Sequence, residues 1–346
     1  MSTFARIDAP SSLVLDEEDL PDELASGQVQ VDITLCGICA TDTHNYTSGG
    51  QIPPATFGHE WTGTIARVAS DVTTVEVGQR VIACVGPACG TCAMCLAGHA
   101  DHCDLAFAEA NGVTPDSPVH GGFARSLVVS SSRVMPVIDG INDVQAALVE
   151  PTAVTFHAIR RTRQPLGAVV VVQGAGPIGL LAAQHARHAG AGRLLVIEPN
   201  EERRAAATAL GFTDVLAPGD DAKAWIADVT SGLGVDVLYE CTGAAPLFQP
   251  SAEMVRRGGV LSLLGFPMTT SEVSYGDWQV RELTVIGSLA YTHDDFLGAM
   301  RSIADGAVQV ESLHTGTIGL GELAATMDEL DSGRTSHAKV LLDPRR

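Results

Sequence analysis

Residues 169 to 179 read VVVVQGAGPIG, an apolar β-branched run that turns through three glycines into a helix-like stretch from Pro177 to Ala189. A continuous valine run suits a strand buried on both faces, and such strands belong to parallel sheets covered by helices. The chain keeps the rhythm through LLVIE (194–198), the helical EERRAAATAL, DVLYE (236–240) and GVLSLLG (259–265). Strands alternating with helices predict an α/β doubly wound parallel sheet. The turn itself satisfies G-x-G-x-x-G. Gly174 permits the tight turn, Gly176 lets a pyrophosphate approach the backbone, and Gly179 lets the helix pack on the strand; Pro177 and Ile178 lie in the same cofactor-binding turn. The helix N-terminus offers unpaired N–H groups to the phosphates. Glu198 ends the next strand, nineteen residues after Gly179. A carboxylate there would take the adenosine ribose hydroxyls and repel a 2′-phosphate, which favours NAD over NADP. Arg203 and Arg204 follow, and Arg203 is the better candidate to reach the ribose. Without a ligand, the same turn would only pack a helix on a strand.

The stretch before residue 150 reads differently. QVQVDITL, WTGTIARV, QRVIACV and FARSLVV are short β-type runs broken by glycine, as in a compact all-β barrel-like unit. Past residue 290, YTHDDFLGAMRSIADG is helical in pattern and KVLLD (339–343) is a last strand. A chain of 346 residues suits two domains. The division expected is 1–152 with 291–346, around a nucleotide domain at 153–290. Lys and Arg number 21 against 41 Asp and Glu, a net charge of −20, the wrong sign for a phosphate-neutralising surface; nucleic-acid binding is not expected. The acidic run DEEDLPDEL (16–24) reads as a solvated face or turn. No window reaches the roughly eighteen uncharged apolar residues of a membrane span, and MSTFARIDAPSS lacks the apolar centre of a secretory signal. The expected location is therefore cytoplasmic, where cysteines stay reduced.

Reduced cysteines direct attention to CGTCAMCLAGHADHC (89–103). Cys89, Cys92, Cys95 and Cys103 follow C-x2-C-x2-C-x7-C, which suits tetrahedral zinc with no open position. The ferredoxin run C-x2-C-x2-C-x3-C-P fits only the first three, so iron–sulfur is disfavoured. His99 and His102 are then spare loop histidines. A closed shell ties down a lobe (about 86–106) and does not take substrate. A second metal set is more dispersed, in CGICATDTH (36–44), FGHEW (57–61) and LVEPTAV (148–154). Cys39, His59 and Glu150 would make a mixed site with one open position, the pattern of a catalytic zinc. Cys36 is the nearest rival to Cys39, but within VDITLCG it reads as a packed strand residue.

With GICATDTH, GHE, the cysteine tetrad, HGGFA (120–124), LVEPTAVTFHA, GAGPIGL, YECTG and IGSLAYTHDDF together, the chain resembles the zinc-containing medium-chain alcohol dehydrogenases. It looks closest to the 2,3-butanediol, sorbitol and related secondary-alcohol branch. The resemblance implies a GroES-like β-barrel catalytic domain plus a Rossmann NAD-binding domain, with substrate and nicotinamide between them. It implies two zinc ions per chain, NAD(H), a small alcohol or ketone as substrate and a homodimer or homotetramer. Carried over, Cys39, His59 and Glu150 would hold the catalytic zinc, and Glu60 would be an adjacent carboxylate that can exchange with zinc-bound water. Thr41 would hydrogen-bond the alcohol, His44 would relay its proton toward solvent, and Lys339 would meet the pyrophosphate. Three features depart from the family: Arg125 and Ser126 after GGFA, a short loop between Thr47 and Thr56, and the segment 106–120. The last two are expected to border the substrate cleft. Rival readings are a threonine or amino-alcohol dehydrogenase, a zinc-free quinone or enoyl reductase, and a non-catalytic NAD-binding redox sensor.

Overall fold

The computed structural model describes residues 1–333 and 337–346. The chain forms two compact units. The first comprises Met1–Glu150, Tyr291–Ala304 and Leu313–Arg346; the second comprises Pro151–Ala290 and Asp305–Ser312.

In the first unit a seven-stranded sheet is built around the strand Gln28–Gly37. That strand pairs antiparallel with Glu60–Val68, Ser126–Ser130 and the C-terminal strand Lys339–Leu342. The apolar alternation of QVQVDITL faces Val29, Val31 and Ile33 into a core shared with Ile65, Val81, Phe123, Leu127, Val340 and Leu342. Cys36 lies wholly inside this core, as its strand pattern implied. A hairpin of Ser2–Ala9 and Ser12–Glu18 takes up the start of the acidic run. Asp16 there pairs with Arg6, and Glu18 accepts a hydrogen bond from His120 at 2.7 Å, so these two acids are structural rather than only solvated.

The second unit holds six parallel strands in the order Asp214–Leu216, Arg193–Ile197, Val169–Gln173, Val235–Glu240, Val255–Leu263, Thr284–Gly287. The valine run is central: Val170, Val171 and Val172 have no exposed surface. Strand order reverses between Val169–Gln173 and Val235–Glu240, and the crevice beyond the carboxyl ends of such strands is where this class of sheet takes ligands. The tail Asp305–Ser312 counts with this unit, a detail absent from the expected boundaries. Its anchor is an amide exchange in which Gln309 N donates to Gln184 Oε1 at 2.7 Å and Gln184 Nε2 donates to Gln309 O at 3.2 Å. Among the described residues, no helix is long and apolar enough to cross a membrane.

Candidate active site

Cys39 sits between the strand Gln28–Gly37 and the helix Ala40–Ser48, as that helix's N-cap. Asp42, three residues on, fixes this corner. Its Oδ2 accepts from the Cys39 N–H at 2.9 Å and its Oδ1 accepts from the Gly58 N–H at 2.8 Å. One buried carboxylate thus joins the Cys39 turn to the loop carrying His59. The sequence reading passed over Asp42; an acid at the third helical position is a helix-start signal and could have marked it.

His59 Nδ1 lies 3.1 Å from the Thr56 carbonyl, which can only accept, so Nδ1 carries the hydrogen and leaves Nε2 as the free ligand atom. Burial would lower the His59 pKa, but Asp42, Cys39 and Glu150 outweigh it and raise it well above the ordinary value. Glu150 lies at the start of the helix Val149–Thr162, with Oε1 4.0 Å from His59 Nε2. Burial pushes the Glu150 carboxyl up to about 7, against the opposing pull of His59. Tyr291, unassigned in the sequence reading beyond its place in IGSLAYTHDDF, works with His59 against this rise and favours the charged carboxylate.

Ligand atoms of Cys39, His59 and Glu60 all fall within 4.8 Å of one another. A thiolate, an imidazole and a carboxylate this close suit zinc. Glu150, the carboxylate expected as third ligand, stands outside that group and reaches only His59, at 4.0 Å, whereas Glu60 belongs to it. Thr41 and His44 lie three residues apart on the helix Ala40–Ser48, hence on one face; Thr41 is exposed and His44 partly so.

Lys339 departs from its expected place. Its Nζ is buried and donates to Glu60 Oε1 and Oε2, each at 2.7 Å, and to the Ile38 carbonyl at 3.0 Å. Those bonds engage the ammonium group inside the first unit rather than presenting it to a pyrophosphate. Burial opposes its charge, but Glu60 and Cys39 outweigh that and raise its pKa above the ordinary lysine value.

The cysteine tetrad forms a separate group, all four sulfurs within 4.8 Å. Cys92 and Cys103 are 3.9 Å apart, Cys89 and Cys95 4.0 Å. Sulfurs at about 2.3 Å from one zinc stand about 3.8 Å apart in a tetrahedron, whereas a disulfide requires about 2.05 Å. N–H groups of Cys92 and Thr91 donate to Cys89 Sγ, and those of Cys89 and Ala106 to Cys103 Sγ. The Thr91 hydroxyl and N–H lead in drawing the Cys89 thiol down to about 6. His99 and His102 are exposed and outside the sulfur group.

In the second unit the glycine turn leaves Gln173 and enters the helix Pro177–His188. Gly174 has φ +97°, a left-handed value. A Cβ on Gly179 would collide with the Gly174 carbonyl, while one on Gly176 would meet nothing within 4 Å. The turn is therefore tight where helix meets strand and open where a pyrophosphate would approach. Glu198 Oε2 accepts from the Ala175 N–H at 2.7 Å and Oε1 from the Asn200 N–H at 2.9 Å. A carboxylate has about four lone-pair sites, so acceptor capacity remains for ribose hydroxyls. The guanidinium held against this strand end is that of Arg204, which donates to the carbonyls of Glu198 and Pro199 at 2.9 and 2.7 Å; Arg203 contributes its backbone N–H to the Asn200 cap.

Comparison with known proteins agrees with both halves. Residues 25–139 match the alcohol dehydrogenase GroES-like domain and residues 177–305 the zinc-binding dehydrogenase family. The chain is 31% identical over 322 residues to a 2-dehydro-3-deoxy-L-galactonate 5-dehydrogenase of Pseudoalteromonas atlantica, covering 92% of each. It is 31% identical over 339 residues to a sorbitol dehydrogenase of Bacillus subtilis, covering 95% of this chain and 94% of that protein. The crystal structure of 2R,3R-butanediol dehydrogenase from Bacillus subtilis superposes with a TM-score of 0.84 at 27% identity, covering 99% of this chain and 100% of that one. Its matched domains and near-full-length relatives make this chain a member of the zinc-containing medium-chain alcohol dehydrogenase family, in its polyol and secondary-alcohol group.

Proposed function

We propose that the chain interconverts a secondary hydroxyl of a small diol or polyol with the ketone, using NAD, and that Cys39, His59 and Glu150 hold the catalytic zinc. The observation that supports this is the grouping of the Cys39 thiol, the His59 imidazole and the Glu60 carboxylate within 4.8 Å, apart from the closed tetrad, with the Glu150 carboxylate 4.0 Å from His59. Cys39 and Glu150 as anions balance a dication. A zinc ion there supplies the Lewis acidity that makes an alcohol hydroxyl easier to deprotonate, and NAD supplies the hydride acceptor. The chain's own residues do the rest. Asp42 and Thr56 orient His59, Thr41 accepts the alcohol proton's hydrogen bond, and His44, on the same helix face, carries the proton toward solvent. Tyr291 favours the ionised form of Glu150.

The first unit is assigned as the catalytic domain and the second as the NAD domain, with Gly174, Gly176, Pro177, Ile178, Gly179 and Glu198 at the dinucleotide. Glu198 favours NAD over NADP by charge. Cys89, Cys92, Cys95 and Cys103 take the structural zinc. The strand Thr284–Gly287 ends its sheet, with Tyr275, Val280, Val285 and Leu289 exposed near it in sequence. An open apolar edge of this kind supports pairing with a second copy. A cytoplasmic location suits reduced cysteine ligands.

The test is an NADH-absorbance screen of vicinal diols, polyols, simple secondary alcohols and threonine, run with Cys39→Ser alongside. Turnover confined to diols or polyols, lost in Cys39→Ser while the fold and tetrad zinc persist, is expected. Threonine as the preferred substrate would move the chain to the amino-alcohol reading, and near-normal turnover of Cys39→Ser would refute the metal assignment.

A further inference from the structure

A pocket opens in the first unit between the strand Ser2–Ala9, the end of the helix Ala40–Ser48, the loop leading to Phe57, and Val119 with His120. It encloses about 490 Å³ up to its open mouth, within the range of about 300–1,000 Å³ usual for small-molecule sites. The short loop after Thr47 and the segment 106–120, both departures from the family pattern, supply part of its lining. Ile7, Ile52, Phe57 and Val119 give it apolar walls. Asn45 lies among them and is 2% exposed. Its Oδ1 accepts from the Ile52 N–H at 2.9 Å, which fixes the orientation of the amide. Among the described residues its Nδ2 has no acceptor, yet that atom is not sealed from solvent; the pocket that Asn45 lines gives it access. An amide NH2 donates and cannot accept, so it calls for a carbonyl or hydroxyl oxygen. The other polar side chains are spent. His120 uses both ring nitrogens, on the Gly121 carbonyl at 2.8 Å and on Glu18 at 2.7 Å. Arg6 donates to Asp8 at 3.1 Å and to Asp16 at 2.8 Å. Three carboxylates against one guanidinium and one imidazole leave no positive excess to attract an anion.

We propose that this pocket binds a neutral small molecule that carries a carbonyl or hydroxyl oxygen on a short hydrocarbon body, with the oxygen on Asn45 Nδ2 and the hydrocarbon against Ile7, Ile52 and Phe57. Two sources share that chemistry: the end of the substrate remote from its reacting carbon, and a separate neutral effector. Asn45 follows His44 and lies one turn, about 6 Å along the helix, beyond Thr41, a short distance for a polyol chain. The pocket as a binding site stands apart from the metal reading; only its use by the substrate rests on it.

Hexan-2-one is the probe and hexanoate its anionic counterpart, each titrated against the full chain by ligand-observed NMR. Hexan-2-one should bind wild type about tenfold more tightly than hexanoate, or better. Asn45→Asp keeps an acceptor for the Ile52 N–H but removes the free donor, so ketone affinity should fall by about tenfold or more, whereas a residue that only pins Ile52 would leave it unchanged. Val119→Trp, at a position 65% exposed, fills the mouth without touching the core and should weaken the ketone by about as much. No saturable ketone binding to wild type, unchanged affinity in either folded variant, or tighter binding of hexanoate overturns the proposal. Should Asn45→Asp fail to fold by circular dichroism, Val119→Trp decides alone. Cys39→Ser separates the two sources. Ketone affinity that survives it and still depends on Val119 identifies a separate ligand. Affinity that falls by about tenfold there as well identifies the far end of a substrate seated at the metal. Failure of the metal reading shows instead as near-normal turnover in Cys39→Ser, with the Asn45 dependence of ketone binding intact.

Discussion

Replacing Glu198 by glutamine tests the cofactor site most directly. The wild-type carboxylate accepts one backbone N–H on each oxygen, from Ala175 at 2.7 Å and from Asn200 at 2.9 Å. Glutamine keeps a single carbonyl oxygen, and its NH2 would face an N–H instead of accepting from it. Hydrogen bonds to a charged group contribute about 1.5–3 kcal/mol each. The ribose hydroxyls would meet the same altered group. At about 1.4 kcal/mol per factor of ten, the KM for NAD should rise about tenfold to a hundredfold, with a smaller change in kcat. Preference for NAD over NADP should shrink too, because the charge that repels a 2′-phosphate is gone. The assay is initial-rate NADH absorbance across NAD and NADP concentrations, with a thermal melt on the same samples. A KM for NAD within twofold of wild type and an unchanged NAD preference would refute the ribose assignment. A lowered melting temperature by itself would leave Glu198 only the task of pinning the glycine turn.

Glu150, raised to about 7, is neutral below that pH in the metal-free chain, so protons compete with zinc as pH falls. Zinc affinity should drop by about an extra tenfold per pH unit below 7 from this ligand; chelator competition from pH 5.5 to 8 should show a slope smaller by about one in Glu150→Gln. His185, lowered to about 3 by burial, stays neutral in the folded second unit while its unfolded counterpart protonates near 6.5. Its contribution to stability is present above 6.5 and lost as pH falls toward 3; by pH 5 the loss is about 2 kcal/mol, visible as a melting-temperature drop that His185→Gln flattens. Cys103→Ser removes one sulfur of the tetrad and the acceptor of the Cys89 and Ala106 N–H groups. Zinc content should fall from about two to about one per chain, with earlier thermal unfolding.

Local pattern alone carried a large part of this molecule. The valine run ending in GAGPIG implies a buried parallel strand, a tight turn and a helix, because each depends on neighbours in sequence. The tetrad falls within fifteen residues, so its spacing already defines a closed metal shell, and the sulfur separations agree with it. Tertiary structure decided what depends on strand register and burial. Asp42 joins Cys39 to His59 only because the loop ending at Gly58 folds against the helix start. Lys339, in a C-terminal strand and 279 residues from Glu60, meets it because Gly37 lies between their strands. That the Arg204 guanidinium caps the carbonyls of Glu198 and Pro199 likewise depends on side-chain direction at a helix start, which residue type does not encode. Sequence determined which chemical groups the chain possesses and the elements that carry them; the fold decided which of two nearby carboxylates is paired to an ammonium, because a buried charge answers to whatever the tertiary structure places against it.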